Sequence, residues 1–226
     1  MIRTITIARE YGSGGAQIGA VVARRLGWRF LDRALIEEIG RAAGVEAATA
    51  QAYDERVESW VEQLLRALAT GALVGGAGTP ATAQAFDSER LVAFAEQAIL
   101  GAAAIGNCVI IGRGGQCLLQ DREDTLHVFI YAPWRERVAR VRNRVAAGVD
   151  VDATIREIDR QRAAFIRKFF QQDWRNPHLY DLMISSTLGE EAVCATILCA
   201  IGAGTAPRCA ANAQPVTPQP PFPGGV

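Results

Sequence analysis

Ile5-Thr6-Ile7-Ala8-Arg9-Glu10-Tyr11-Gly12-Ser13-Gly14-Gly15-Ala16-Gln17-Ile18-Gly19 is the stretch on which the fold turns. Ile2 to Ala8 is short and β-branched, which suits a buried strand. Glycines follow at once, and then Ile18, Val21, Val22 and Leu26 repeat at helical spacing, with Gly27 as the stop. Trp28 to Leu31 reads as a second strand ending at Asp32. A strand, a glycine loop, a helix and a second strand begin a βαβ arrangement. An anion is bound by such a unit when glycines let backbone N–H groups converge and the helix N-terminus faces the charge. Gly12, Ser13, Gly14 and Gly15 supply that cradle; a purely structural turn is the competing reading. The Lys-Ser or Lys-Thr pair that normally follows the glycines is absent. Ser13 is then a candidate phosphate donor or Mg²⁺ ligand, and Arg9 a candidate source of the missing charge.

Further elements follow in α/β order. Residues 33–104 read as mainly helical, with Val57, Trp60, Val61, Leu64, Leu65 and Leu68 on one apolar face and a Gly/Ala/Thr-rich connection at 71–85. This segment is either a substrate-closing insertion or plain helical packing. Strands are expected at Cys108–Gly112, Leu126–Tyr131 and Tyr180–Ser185. Helices are expected from Trp134, from Asp152 to Phe170, and after Thr187, where Thr187 and Glu190 fit a capping box. Residues 203–226, rich in Pro and Gly, read as a disordered tail.

The charge pattern narrows the chemistry. Lys+Arg and Asp+Glu both total 24 among 226 residues, so no net charge suggests a nucleic-acid or membrane partner. All of these cations except Lys168 are Arg, so any phosphate must be met by Arg, by backbone amides or by Lys168. Residues 135–168 hold ten cations against five acids. Arg156, Arg160 and Arg167 share a helical face, and Arg135, Arg140 and Arg144 lie on the preceding helix. Such a region is either a lid that closes over a phosphoryl group or a solvated face with i,i+4 pairs. Arg113, between Gly112 and Gly114 at a strand end, is placed to reach a phosphate bidentately; a surface arginine in a turn is the bland reading. The five cysteines form no C-x-x-C pair and have only two histidines for company, which argues against zinc and for reduced thiols. No leader is visible at Met1-Ile2-Arg3. The apolar run from Leu91 to Ile111 breaks at Gly106-Asn107 and reads as helix then strand, and the expected location is the cytoplasm.

Together, Ile5 to Gly15, Phe30-Leu31-Asp32, Ile110-Ile111-Gly112-Arg113-Gly114, Tyr131-Ala132-Pro133 and Asp173-Trp174 through Tyr180-Asp181-Leu182 resemble the cytidylate kinase-like family, relatives of the nucleoside monophosphate kinases. Members often carry Arg where this chain has Ala16 and Glu where it has Gln17. The resemblance implies a P-loop nucleoside-kinase-like three-layer α/β/α fold, with a five-stranded parallel sheet, a helical insertion and an Arg-rich helical lid. It implies one domain over residues 1–202, with 33–104 as the acceptor-binding insertion and 134–170 as the lid. It further implies transfer of the ATP γ-phosphoryl group, with Mg²⁺, to a nucleoside monophosphate such as CMP or dCMP. Gly12 to Gly15, Arg9 and Arg140 would hold ATP, and Asp32 and Arg113 would hold the acceptor. Arg113, Arg156, Arg160 and Arg162 would neutralise the transferring group. A sensor that binds nucleotide without turnover, or a kinase of another small metabolite, is the alternative, and the oligomeric state is open.

Overall fold

Five strands form one parallel sheet: β1 (Thr4–Arg9), β2 (Arg29–Leu31), β3 (Cys108–Ile111), β4 (Thr125–Tyr131) and β5 (Leu182–Ser185), in the order β2-β3-β1-β4-β5. The helices are α1 (Gly15–Leu26), α2 (Ser88–Ile105), α3 (Gly115–Leu118), α4 (Trp134–Arg142), α5 (Val151–Phe170) and α6 (Glu190–Ala200). The computed structural model describes residues 1–32 and 88–203. The expected helices and connection within 33–87, and the tail beyond residue 203, lie outside the described residues.

Alternation along the strands builds the layers. Ile5 and Ile7 of β1, with Val128 and Ile130 of β4, face α1 and α6, where Ile18, Val22, Val193 and Ile197 complete an apolar cluster. On the other face Leu31 and Ile110 pack against Ala95, Ile99 and Ala102 of α2. Each fully buried Ile or Leu here contributes about 1.5–3 kcal/mol. Near β4, Phe129 sits edge-on to Trp174 with ring centroids 5.4 Å apart, and Tyr180 donates its hydroxyl to the Trp174 carbonyl at 2.7 Å. The Asp173–Tyr180 loop is thereby fastened to the sheet.

The sequence expectations hold with boundary shifts of one or two residues for most elements. Gly27 ends α1 in the left-handed conformation, with φ +64°. One local expectation fails. Thr187 does not cap α6, which starts at Glu190 behind Gly189, an N-cap residue with φ +89° and no side chain to accept a bond from the first-turn N–H groups. A 3-10 turn at Ser186–Leu188 intervenes, and the Ser185 side chain accepts from the Thr187 N–H there. Cys108, Cys117 and Cys194 are buried, whereas Cys199 is exposed. Among the described residues, no helix is long and apolar enough to cross a membrane.

Candidate functional site

Strand order reverses around β1, since β3 and β4 flank it although they follow one another in sequence. Ligands of open α/β sheets bind beyond the carboxyl ends of the strands at such a point. The loop Arg9–Gly15 leaves β1 there and the turn Gly112-Arg113-Gly114 leaves β3 beside it. Gly12 and Gly14 adopt φ +81° and +83°, and Gly14 opens directly onto the first turn of α1. A Cβ on Gly14 would meet nothing within 4 Å, so the space over the helix N-terminus is open. The left-handed glycines and the open helix end that an anion cradle needs are therefore present, although the Ser13 N–H donates to the Glu10 carbonyl at 3.3 Å.

The adjoining turn is more unusual. Gly112, Arg113 and Gly114 all have positive φ, at +71°, +57° and +75°. Glycine adopts this region freely, but Arg113 is strained in it, and such strain concentrates at functional sites. A Cβ on Gly112 would strike the Arg9 guanidinium, and one on Gly114 would strike the Phe170 ring. The turn is thus wedged between Arg9 and the end of α5.

A cavity of about 240 Å³ opens here, with Arg9, Arg113 and Arg162 in its wall together with Gln116, Phe165 and Trp174. The Arg9 guanidinium is pulled down to about 9 by burial, then by repulsion from Arg162 and Arg113, with Asp32 offsetting part of the effect. Burial also lowers Arg162, against the attraction of Asp159. With Arg113 in the same wall, the cavity gathers three guanidinium groups in a place of poor solvation. Gln116, only 2% exposed, has its Nε2 amide near the Tyr180 hydroxyl but in no well-formed hydrogen bond. A buried donor without a partner costs about 1–3 kcal/mol, and a bound oxygen would recover it.

Beside this cavity lies a second, neutralised cluster that the sequence did not single out. Arg137, 4% exposed, donates Nε–H to the Tyr11 carbonyl at 2.7 Å, pairs with Glu10 at 3.2 Å, and pairs with Asp159. Asp159 in turn accepts from the Tyr11 N–H at 2.8 Å, and Glu10 accepts from the Ala132 N–H at 3.3 Å. Arg162 completes the lattice, donating to the Arg9 carbonyl at 2.8 Å and lying 3.6 Å from Asp159. The loop after β1 is therefore riveted to α4 and α5 through side chains of both signs.

The structure sorts the remaining candidates. Arg140 donates to the Ser13 carbonyl at 3.0 Å and to the Ser186 hydroxyl at 2.8 Å, tying the loop to the segment after β5. Asp32 lies close enough to Arg9 to raise its pKa. Arg156 and Arg160 are not brought to the cavity. Arg156 stacks on the Trp134 ring at 4.9 Å, and Arg160 pairs with Glu157 at 2.6 Å on the exposed side of α5. Ser13 does not fit the metal role: its side chain is fully buried, and the hydroxyl donates to the Glu10 carbonyl at 2.8 Å. Among the described residues no group of three or more His, Cys, Asp or Glu could hold a metal ion. A Mg²⁺ ion carried in on ATP phosphates needs only one or two protein oxygens, but the described residues do not identify them.

The crystal structure of an uncharacterized protein from Eubacterium ventriosum ATCC 27560 matches this fold with a TM-score of 0.63 and 17% identity, over 89% of this chain and 99% of that one. A shikimate kinase from Bacteroides thetaiotaomicron is similar at a TM-score of 0.49 and 14% identity, over 89% of this chain and 99% of that one. Among curated proteins no match is found. The model of the cytidylate kinase-like family matches residues 4–188, more than half of the sequence, and so the chain belongs to the cytidylate kinase-like family.

Proposed function

We propose that the protein transfers the γ-phosphoryl group of ATP, supplied with Mg²⁺, to a nucleoside monophosphate, with CMP or dCMP as the acceptor. One observation carries this reading: an open glycine cradle at a helix N-terminus stands next to a separate cavity walled by Arg9, Arg113 and Arg162. A donor triphosphate and an acceptor phosphate need two anion sites side by side, and nothing in the packing of the sheet requires either. Family membership over residues 4–188 supports the same chemistry.

In this reading the donor phosphates lie over Gly12 to Gly15 and receive backbone N–H groups and the α1 dipole. Arg113 meets the acceptor phosphate in the cavity, where its fork makes paired hydrogen bonds. Arg162, fixed by Asp159 and the Arg9 carbonyl, points positive charge at the junction of the two sites. No protein group forms a covalent bond; positioning and electrostatic stabilisation carry the step. Gln116 offers its amide to an oxygen of the acceptor. Arg140 holds the loop and borders the donor site. ATP and the acceptor are cytoplasmic metabolites, and we place the activity in that compartment.

The test is product formation from ATP with CMP, dCMP, UMP and AMP, followed as ADP and nucleoside diphosphate. CMP and dCMP are expected to give the largest kcat/KM. Arg113→Ala is expected to raise KM for the acceptor by about 10–100-fold, the scale of a lost charged hydrogen bond. If ATP binds but no acceptor yields a diphosphate at high protein concentration, the reading is wrong. Gly15-Ala16 in place of Lys-Ser/Thr favours a second reading, a nucleotide sensor. That reading requires stabilisation by nucleotide without turnover.

A further inference from the structure

The loop does not simply lack its lysine. The phosphate-binding pattern Gly-x-x-x-x-Gly-Lys-Ser/Thr fits Arg9–Ala16 with Gly14 as the second glycine. Arg9 then stands at the first glycine, Gly15 at the lysine and Ala16 at the Ser/Thr. One glycine and one cation are both present, but they have changed places. The structure shows why the two positions are coupled. A Cβ on Gly15 would lie 2.7 Å from the Arg9 Cβ and 3.2 Å from its Cγ. The stem of Arg9 therefore fills the space that a side chain at position 15 needs, so only one of the two residues can carry a cation.

We propose that Arg9 does the work of the missing lysine, reaching the transferring phosphoryl group from the end of β1 instead of from the start of α1.

Three observations aim it there. Its backbone is anchored, since Arg162 donates to the Arg9 carbonyl at 2.8 Å. Its guanidinium lies against Gly112, where any Cβ would displace it. Its side chain forms part of the cavity wall that Arg113 and Arg162 also line. An arginine kept for packing alone is expected to be matched by carboxylates, as Arg137 is by Glu10 and Asp159. Arg9 instead faces two further arginines, which oppose its charge, and Asp32, which supports it. An arriving phosphoryl group relieves that opposition. This assignment rests on the phosphoryl-transfer reading above. In the step itself, the bond from the γ-phosphorus to the bridging oxygen breaks and leaves its electron pair on ADP. A bond forms from that phosphorus to an oxygen of the acceptor's dianionic phosphate, and no proton moves. Arg9 makes no covalent bond; it offsets charge on the oxygens in transit, an effect largest in the transition state.

The test uses the full chain as wild type, Arg9→Met, Arg9→Gly, Gly15→Lys and the double variant Arg9→Gly/Gly15→Lys. Affinities for ATP and ADP are measured by calorimetry, and ADP release is measured with CMP. Arg9→Met is expected to lower kcat by about 10²–10³-fold, the scale seen when one charge-stabilising donor is removed. It should also erase the preference for ATP over ADP. Gly15→Lys alone should fold poorly or stay inactive, because the two side chains collide. The double variant should recover at least roughly tenfold of what Arg9→Gly loses, since the ordinary order of glycine and lysine is restored. A double variant no better than Arg9→Gly overturns the exchange of places. Unchanged ATP preference in Arg9→Met, or no such preference in the wild type, overturns the role of Arg9. If the wild type never turns over yet loses its ATP preference on Arg9→Met, the kinase reading falls and the assignment of Arg9 stands.

Discussion

Arg137 and Arg9 flank the same glycine loop, and their surroundings differ. Arg137 is buried and answered: Glu10 and Asp159 meet its charge, and the Tyr11 carbonyl takes its Nε–H. Arg9 is half-buried and faces Arg113 and Arg162, with Asp32 as the opposing carboxylate. Arg162 belongs to both neighbourhoods, touching Asp159 on one side and the Arg9 carbonyl on the other. Paired charges hold a structure; like charges gathered in a cavity destabilise it until an anion arrives. The fold has set one beside the other, so the rigid cluster fixes the geometry of the strained one.

The strongest way to break this comparison is to remove Arg137. Arg137→Met leaves the buried Asp159 with only Arg162 at 3.6 Å and the half-buried Glu10 with only Arg175 at 3.7 Å, and breaking a buried pair in this way typically costs about 3–5 kcal/mol. Urea denaturation should register a loss of that order, and Arg137→Lys should recover only part of it, because one ammonium cannot serve Tyr11, Glu10 and Asp159 in a fixed fork. A loss below about 1 kcal/mol would place Arg137 among ordinary surface pairs.

Arg9 should respond with the opposite sign. Its folded pKa of about 9 lies well below the ordinary arginine range, so above about pH 9 the folded state binds protons less well than the unfolded one. The cost of holding its charge is thus fully present below about pH 9, and stability rises with pH above it. Arg9→Met, free of that cost, is expected to raise the melting temperature of the ligand-free protein at pH 7. A gain of roughly 1 kcal/mol would show as about 2–4 °C in a chain of this size. The gap between variant and wild type should narrow as pH climbs past about 9. Phosphate should stabilise the wild type more than the variant. A variant less stable than the wild type at pH 7 would mean that Arg9 is as structural as Arg137.

How much of this was legible in the sequence follows from the kind of signal each part leaves. The sheet was readable because β-branched runs such as Ile5–Ile7 and Val109–Ile111 alternate with glycine stops and 3.6-residue periods. The glycine cradle was readable because Gly12 and Gly14 sit between such a strand and such a helix. The helical phase of the lid was not. Helical spacing pointed to Arg156, Arg160 and Arg167, and the family resemblance to Arg156, Arg160 and Arg162, yet the inward stripe of α5 is Ile155, Asp159, Arg162 and Ile166, of which Ile155, Asp159 and Ile166 are buried. The two stripes differ by one residue, which is about 100° around a helix. Patterning assigns charged residues to solvent, and here two of the inward positions are charged, because Arg137 and the loop backbone satisfy them. Arg137 escaped for the same reason, although its place four residues before the buried Val141 was a usable signal. The swap of Arg9 and Gly15 could be seen as an absence in the sequence, but only the 2.7 Å approach of their side-chain positions turns it into a relation.

The smallest expected effect sharpens the comparison from the outside. Arg160 and Arg162 are two residues apart on one helix, yet they meet different worlds. Arg160 is exposed and pairs with Glu157 at i,i+3, while Arg162 reaches the Arg9 carbonyl and Asp159. Exposed pairs of this kind contribute little, since water and salt screen them. Arg160→Ala is therefore expected to leave kcat and KM within about twofold of the wild type. Arg162→Ala, by contrast, should lower kcat at least roughly tenfold if the proposed reaction holds, because it would remove charge from the cavity and free the Arg9 carbonyl. The pair of kinetic profiles is the measurement. If Arg160→Ala costs as much as Arg162→Ala, then both faces of α5 matter to the proposed reaction, and the static division between the exposed Arg160 and the inward Arg162 does not describe the substrate-bound protein.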